Sequence, residues 1–176
     1  MKKKNFLLAA ALMTAGCMTA ETLPEGLVSL LPEGVKANIS TERKLSKIKN
    51  VVVAGSPEKG YKAFFAATDE AHGEELWVTD GTPEGTKLVK DIVAGSSSSN
   101  VGYLTRFNDK VVFQAYTDDA DMELWISDGT EEGTYMVKDI NLEKNVNKEG
   151  STLSSAINSM QNFYNEGLFF KAWDED

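Results

Sequence analysis

Two sets of acidic side chains recur in this sequence at one spacing, and they are its first candidates for chemistry. The two sets are Asp80, Glu84 and Asp91, and, further along the chain with the same mutual spacing, Asp128, Glu132 and Asp139. Carboxylate oxygens suit Ca²⁺, which takes roughly six to eight oxygen ligands. The spacing does not match an EF-hand loop, and an Asp-Gly turn forms without a metal. Calcium binding is therefore an alternative to a purely structural role, and the sequence requires no cofactor.

Residues suited to acid–base catalysis are sparse. His72 is the only histidine, and the second copy of its surroundings has none, so we expect an exposed loop residue. The acidic pairs Asp69/Glu70 and Asp118/Asp119 could in principle perform acid–base work on a glycan. Both pairs lie where a strand gives way to a loop, and solvated carboxylates are ordinary there. The sequence therefore predicts no catalytic residues.

Both acidic sets belong to a long motif that occurs twice in the sequence. Residues 75–92 read ELWVTDGTPEGTKLVKDI and residues 123–140 read ELWISDGTEEGTYMVKDI, identical at 13 of 18 positions. A catalytic site needs its residues once, whereas a unit that stacks on copies of itself needs them in every copy. The motif positions are Glu75, Leu76, Trp77, Asp80, Gly81, Thr82, Gly85, Thr86, Glu123, Leu124, Trp125, Asp128, Gly129, Thr130, Gly133 and Thr134.

The motif predicts a β-hairpin whose arms are ELW and VKDI. Asp-Gly is a strong turn former, because Gly accepts a positive φ and Asp bonds back to its own backbone. We expect Gly85 and Gly133 to supply a second positive φ, and the loop threonines to bond loop amides. Leu76 and Trp77 should point to opposite faces of the strand. A tryptophan in every copy indicates packing between neighbouring sheets, with a ligand-stacking platform as the alternative.

The chain from residue 51 onward is predicted to be antiparallel β-structure. Short aromatic and β-branched runs alternate with Gly, Asp and Asn. Repeat one covers about 62–109, repeat two about 110–166, and a third begins at 167–176. Aligning AFFAAT, VVFQAYT and LFFKAW makes Phe64, Phe113 and Phe170 equivalent, so that the second repeat is longer than the first. A helix over 153–163 is the helical alternative in this part of the chain, and a short helix over 43–48 is another in the segment before it.

The N-terminus has the anatomy of an export signal. Lys2, Lys3 and Lys4 precede an apolar run too short to span a membrane. The following TAGC resembles the lipobox of bacterial lipoproteins, in which the cysteine is lipidated and becomes the first mature residue. That cysteine, Cys17, is the only one in the chain. We therefore predict a signal peptide at 1–16, lipidation of Cys17 and a tether at 17–50.

The charge balance argues against a nucleic-acid partner. The chain has 18 basic and 27 acidic side chains, and the predicted signal peptide holds three lysines and no acid. The remainder therefore has 15 basic and 27 acidic side chains, a formal charge of −12. Such a surface repels nucleic acid and anionic lipid headgroups.

The motif, the AGSSSSN stretch and the NDKVVFQA strand together resemble the ELWxxDGT repeat family of large bacterial surface and secreted proteins. The resemblance covers about two thirds of the chain. It implies an all-β fold of tandem four-stranded antiparallel repeats of about 50 residues, arranged as β-propeller-like blades, here in an incomplete array. It also implies residence outside the cytoplasm, and no enzymatic activity is known for the repeat itself.

Two functions remain open at this point. The first is a non-enzymatic lipoprotein of the cell envelope, more consistent with the outer than the inner membrane, that acts as a binding or scaffold module for a protein or glycan. The alternative is the non-catalytic repeat portion of a larger glycan-active or secreted enzyme. An incomplete array also predicts self-association, because each terminal unit leaves an apolar face uncovered.

Overall fold

The structure is a computed structural model that describes residues 31–37, 51–138, 159–163 and 167–172. Within these residues it contains β-strands and no helix, and every strand pairing is antiparallel. The prediction of an all-β fold is confirmed. The strands are β1 (Lys36–Ala37), β2 (Val52–Ser56), β3 (Gly60–Asp69), β4 (Gly73–Thr79), β5 (Lys87–Lys90), β6 (Gly102–Phe107), β7 (Lys110–Thr117), β8 (Asp121–Ser127), β9 (Tyr135–Lys138), β10 (Ser159–Phe163) and β11 (Gly167–Lys171).

The strands form three sheets in chain order. In the first sheet β3, β4 and β5 are neighbours, and both β1 and β2 pair with the outer edge of β3. The second sheet has the order β6-β7-β8-β9, and the third is the β10–β11 hairpin. The short strands β5 and β9 each form an edge, and each pairing with the preceding strand shifts register at the Leu-Trp step.

The hairpins of the first two sheets have the same internal register. Trp77 lies opposite Phe65 in the first sheet, and Trp125 lies opposite Phe113 in the second. The counterpart of Phe113 is therefore Phe65, and the expected equivalence with Phe64 is wrong by one position. Two adjacent phenylalanines left the alignment ambiguous, and a slip of one position moves every side chain to the opposite face.

The first and second sheets pack face to face through unlike faces. We call the side of each sheet that carries its motif leucine the leucine face, and the other side the tryptophan face. Phe64, Leu76 and Val89 on the leucine face of the first sheet share one buried cluster with Phe113 and Trp125 on the tryptophan face of the second. The first sheet therefore contributes its leucine face to this contact, and the second sheet contributes its tryptophan face.

The third sheet continues this arrangement. Leu168 and Ala172 pack against Val112 and Leu124 on the leucine face of the second sheet. In the same way, Val111 and Ala115 of β7 belong to the cluster formed with the first sheet.

The helical alternative over 153–163 is wrong for β10, and residues 153–158 lie outside the described part of the chain.

Part of the predicted tether instead lies on the first sheet. β1 pairs with β3, placing Ala37 opposite Ala67. Leu31 and Val35 pack with Phe65 and Trp77 on the tryptophan face, the side turned away from the second sheet. Residues 31–37 therefore cover an apolar face that the sequence analysis predicts to be uncovered. The leader, Cys17 and the other tether residues lie outside the described residues.

Candidate functional site

Each motif hairpin is closed by a loop built around its aspartate. In the first loop, residues 80–86, one oxygen of Asp80 accepts bonds from the Thr82 amide at 2.9 Å and the Thr82 hydroxyl at 2.6 Å. The Thr82 hydroxyl oxygen in turn accepts from the Gly85 amide at 3.0 Å. The Asp-Gly-Thr sequence therefore closes the loop by short-range hydrogen bonds.

A second group of hydroxyls ties the loop to the strands. The Thr79 and Thr86 hydroxyls bond one another at 2.7 Å at the mouth of the hairpin. The Thr79 hydroxyl also accepts from the Gly81 amide at 3.0 Å, and the Thr86 hydroxyl donates to the Thr82 carbonyl at 2.7 Å. Thr86 is buried, so these bonds supply partners for polar groups that water does not reach.

The second loop, residues 128–134, repeats this network atom for atom. Asp128 accepts from the amide and hydroxyl of Thr130 at 2.9 and 2.7 Å, and Thr130 accepts from the Gly133 amide at 3.0 Å. Ser127 takes the place of Thr79 and bonds the Thr134 hydroxyl at 2.7 Å. Because only the hydroxyl is used, serine and threonine are interchangeable there.

The four loop glycines have two different roles. Gly81 and Gly129 adopt positive φ angles of 92° and 85°, as the Asp-Gly pattern predicts. Gly85 and Gly133 do not, so the expectation of a second positive φ is wrong. A Cβ at either position would overlap the carboxylate of Asp80 or Asp128. These glycines are required because the aspartate approaches their backbone closely.

The calcium alternative receives no support from this geometry. Among the described residues no group of three or more His, Cys, Asp or Glu side chains lies close enough to share a metal ion, so Asp80, Glu84 and Asp91 are not gathered at one point. In the second set, Asp139 lies outside the described residues. Burial raises the pKa of Asp128, but bonds from the Thr130 hydroxyl and amide outweigh it and hold that pKa below its usual value.

The second loop also docks on the first sheet. The Lys62 Nζ donates to the Asp128 carbonyl at 3.4 Å, and the Lys90 Nζ donates to the Thr134 carbonyl at 3.2 Å. A Cβ built on Gly129 would lie 3.2 Å from the ring of Phe64, so glycine allows close packing there. The two lysines and the ring thus form a seat for the loop.

The two tryptophans lie in different surroundings. Trp125 is buried between the sheets, with its ring centroid 6.5 Å from that of Phe113. Trp77 is equally buried but packs against residues 31–37. Each indole N–H is buried without a hydrogen-bond partner among the described residues, which costs about 1–3 kcal/mol. Apolar contact must outweigh that cost, so both rings act as packing elements.

The motif glutamate Glu75 binds the segment that joins β5 to β6, a role that the sequence did not reveal. Glu75 is fully buried and accepts bonds from the Ser99 hydroxyl at 2.6 Å and the Val93 amide at 3.2 Å. The Ser99 carbonyl then accepts from the Tyr116 amide of β7. Burial raises the pKa of Glu75 to about 7. A glutamate within an apolar strand of both copies was the available signal, and Glu123 is also fully buried.

The residues considered for acid–base chemistry lie at the other end of the hairpins. His72 is half-buried rather than exposed, and its Nδ1 lies 2.9 Å from an oxygen of Asp69. That hydrogen bond raises the pKa of His72. Asp118 lies in the matching turn of the second sheet, 3.2 Å from the Tyr116 hydroxyl. The length of β4 separates these turns from the Asp-Gly-Thr loops by about 20 Å, so the candidate groups do not converge.

Comparison with known proteins identifies no relative. No family model, curated protein or solved structure matches this chain. No helix among the described residues has the length and apolar character needed to cross a membrane.

Proposed function

We propose that this chain is a non-enzymatic, lipid-anchored protein of the cell envelope whose ELWxxDGT-type units stack as propeller-like blades and serve as a binding or scaffold module. One observation carries the proposal. The leucine face of one sheet packs on the tryptophan face of the next, and the motif hairpins of the two sheets share one register. Stacking of unlike faces can be repeated indefinitely, as in repeat proteins.

The motif chemistry supports a stacking role. Each loop satisfies its own aspartate and threonines, and the first sheet receives the second loop through Lys62 and Lys90. The residues that recur therefore form the hairpin and its seat. His72 does not recur in the second copy, and the acidic pairs Asp69/Glu70 and Asp118/Asp119 lie at the opposite end of the hairpins from the loops.

The envelope location rests on the N-terminal sequence. A basic leader, an apolar run and the single Cys17 have the order expected of a lipoprotein signal. A lone cysteine cannot form an internal disulfide, and lipidation accounts for its presence. The acidic remainder of the chain makes nucleic acid an unfavourable partner.

Metabolic labelling tests the proposal directly. The full chain is expressed in a bacterial host with a clickable fatty-acid analogue, beside a Cys17→Ala variant. We expect label on the native chain, recovery in the membrane fraction, and loss of both in the variant. Label retained by the Cys17→Ala chain, or a native chain found only in the cytoplasm, would contradict an envelope lipoprotein.

A further inference from the structure

The contact between the first two sheets shows what a leucine face receives. The loop of the β8–β9 hairpin lies on β3 and β5, where Lys62 and Lys90 donate to its carbonyls. Val89 on β5 is then only 5% exposed. This seat therefore consists of two lysines, on either side of the hairpin, and an apolar surface between them.

The second sheet repeats the two lysines and the valine of this seat at the corresponding positions of its own strands, whereas the counterpart of Phe64 is Val112, which is only 3% exposed. Lys110 corresponds in position to Lys62, Lys138 to Lys90, and Val137 to Val89. Here the part of the seat on β9 is exposed. Val137 is 48% exposed, against 5% for its counterpart, and Lys138 is exposed where Lys90 is half-buried.

The third sheet explains why this part of the seat is exposed. β10 and β11 take the places beside the second sheet that β6 and β7 take beside the first, and they cover Val112 and Leu124. Among the described residues no strand takes the place beside β11 that β8 takes beside β7. Within the described ranges the leucine face is thus half covered, and its open half borders an edge of β11 that pairs with no described strand. An unpaired strand edge readily accepts another strand.

We propose that a surface of the second sheet, formed by Lys110, Val137, Lys138 and the edge of β11 that no described strand pairs, binds a β-hairpin of another polypeptide. That hairpin has a tryptophan-bearing arm and an acidic Asp-Gly-Thr loop. Its arm adds to β11 as β8 adds to β7, its tryptophan covers Val137, and its loop carbonyls accept from the two lysines. The inference rests on the proposed binding or scaffold role and names its partner.

Charge and chemistry favour this occupant. The seated loop of residues 128–134 carries Asp128, Glu131 and Glu132, and it meets lysines. The acceptor repeats those lysines and adds strand-edge pairing, so recognition combines main-chain bonds, an apolar pocket and opposite charge. A second whole copy of the chain is disfavoured, because its own β4–β5 hairpin is paired with β3 and its tryptophan face is covered by residues 31–37.

The test uses the full chain and a fluorescein-labelled peptide with the sequence of residues 123–138. We expect saturable binding by fluorescence anisotropy. A peptide with Ala at the position of Trp125 should bind at least tenfold more weakly. On the protein side, Val137→Asp and Lys138→Glu should each weaken binding at least tenfold, because they place an acid in the seat.

Matched controls make the result decisive. Lys87→Glu changes an exposed edge lysine of the first sheet and should bind as the native chain does. Circular-dichroism melts confirm that the exposed substitutions leave the fold intact. Absence of saturable peptide binding would overturn the proposal. Equal binding by the native chain and the Val137→Asp and Lys138→Glu variants would also overturn it, because the peptide would then be exchanging with β8 of the protein. Purified protein is used, so failure of the envelope assignment would not affect this outcome.

Discussion

The two Asp-Gly-Thr loops have the same internal hydrogen bonds but different exposure. Asp80 and Gly81 are exposed, whereas Gly129 is buried against Phe64 of the first sheet. Loop conformation is therefore set within the motif, and burial is set by the neighbouring sheet. Each loop therefore takes its conformation from its own residues, and the second loop gains packing energy from the sheet beside it.

The largest change in the free energy of unfolding should come from substituting the two tryptophans. Trp125→Ala should lower the free energy of unfolding by about 3–5 kcal/mol, because a cavity opens between two sheets. Trp77→Ala should cost about 3 kcal/mol or less, because residues 31–37 can follow the shortened side chain and reduce the cavity. Thermal melts of both variants measure this order. Variants that stay as stable as the native chain would favour a ligand-stacking platform instead.

The buried glutamate predicts a specific pH dependence. The unfolded chain loses the Glu75 proton near pH 4.5, whereas the folded chain keeps it until about pH 7. The contribution of Glu75 to stability is therefore greatest below pH 4.5, falls as pH rises to about 7, and is constant above, a change of about 3 kcal/mol. Glu75→Gln cannot ionise, so urea titrations should show its stability rising relative to the native chain over that interval.

An exposed acid provides the control for this comparison. Glu84 is exposed in the first loop, so the stability of the Glu84→Gln variant should change with pH in parallel with that of the native chain. If the Glu75→Gln and native profiles also run in parallel between pH 4.5 and 7, then Glu75 does not hold its proton in the folded chain.

The loop glycines should give a smaller effect. Gly133→Ala forces a Cβ onto the Asp128 carboxylate and should cost about 1–3 kcal/mol. Gly85→Ala should cost less, because Asp80 is exposed and its loop can shift. Urea unfolding of both variants, with Glu132→Ala as an exposed control, measures the difference. Equal costs would show that seating on the first sheet does not stiffen the second loop.

Sequence reasoning succeeded where the cause is local. The strand at ELW, the positive φ of Gly81 and Gly129, and the opposite directions of Leu76 and Trp77 all follow from short-range rules. The second arm of the first hairpin is Lys87–Lys90 and therefore includes only the first two residues of the predicted VKDI arm. Those rules act within one turn or strand, and the motif states them twice.

It failed where the cause is a distant contact. The placement of residues 31–37 on the first sheet depends on an apolar face far along the chain, which no local pattern reports. The role of Glu75 depends on Ser99, and the role of Gly85 depends on how closely Asp80 approaches. The slip in the phenylalanine alignment arose because two identical neighbours face opposite sides of one strand.

Stacking of the second sheet on the first is most directly tested by nuclear Overhauser effects between Gly129 and Phe64. The position of a Cβ on Gly129 lies 3.2 Å from the Phe64 ring, so an α-proton of Gly129 points at that ring. We expect strong cross-peaks between the two residues and a ring-current shift of that proton. Absent cross-peaks in a folded, assigned chain would mean that the two sheets do not stack as described and would contradict the account.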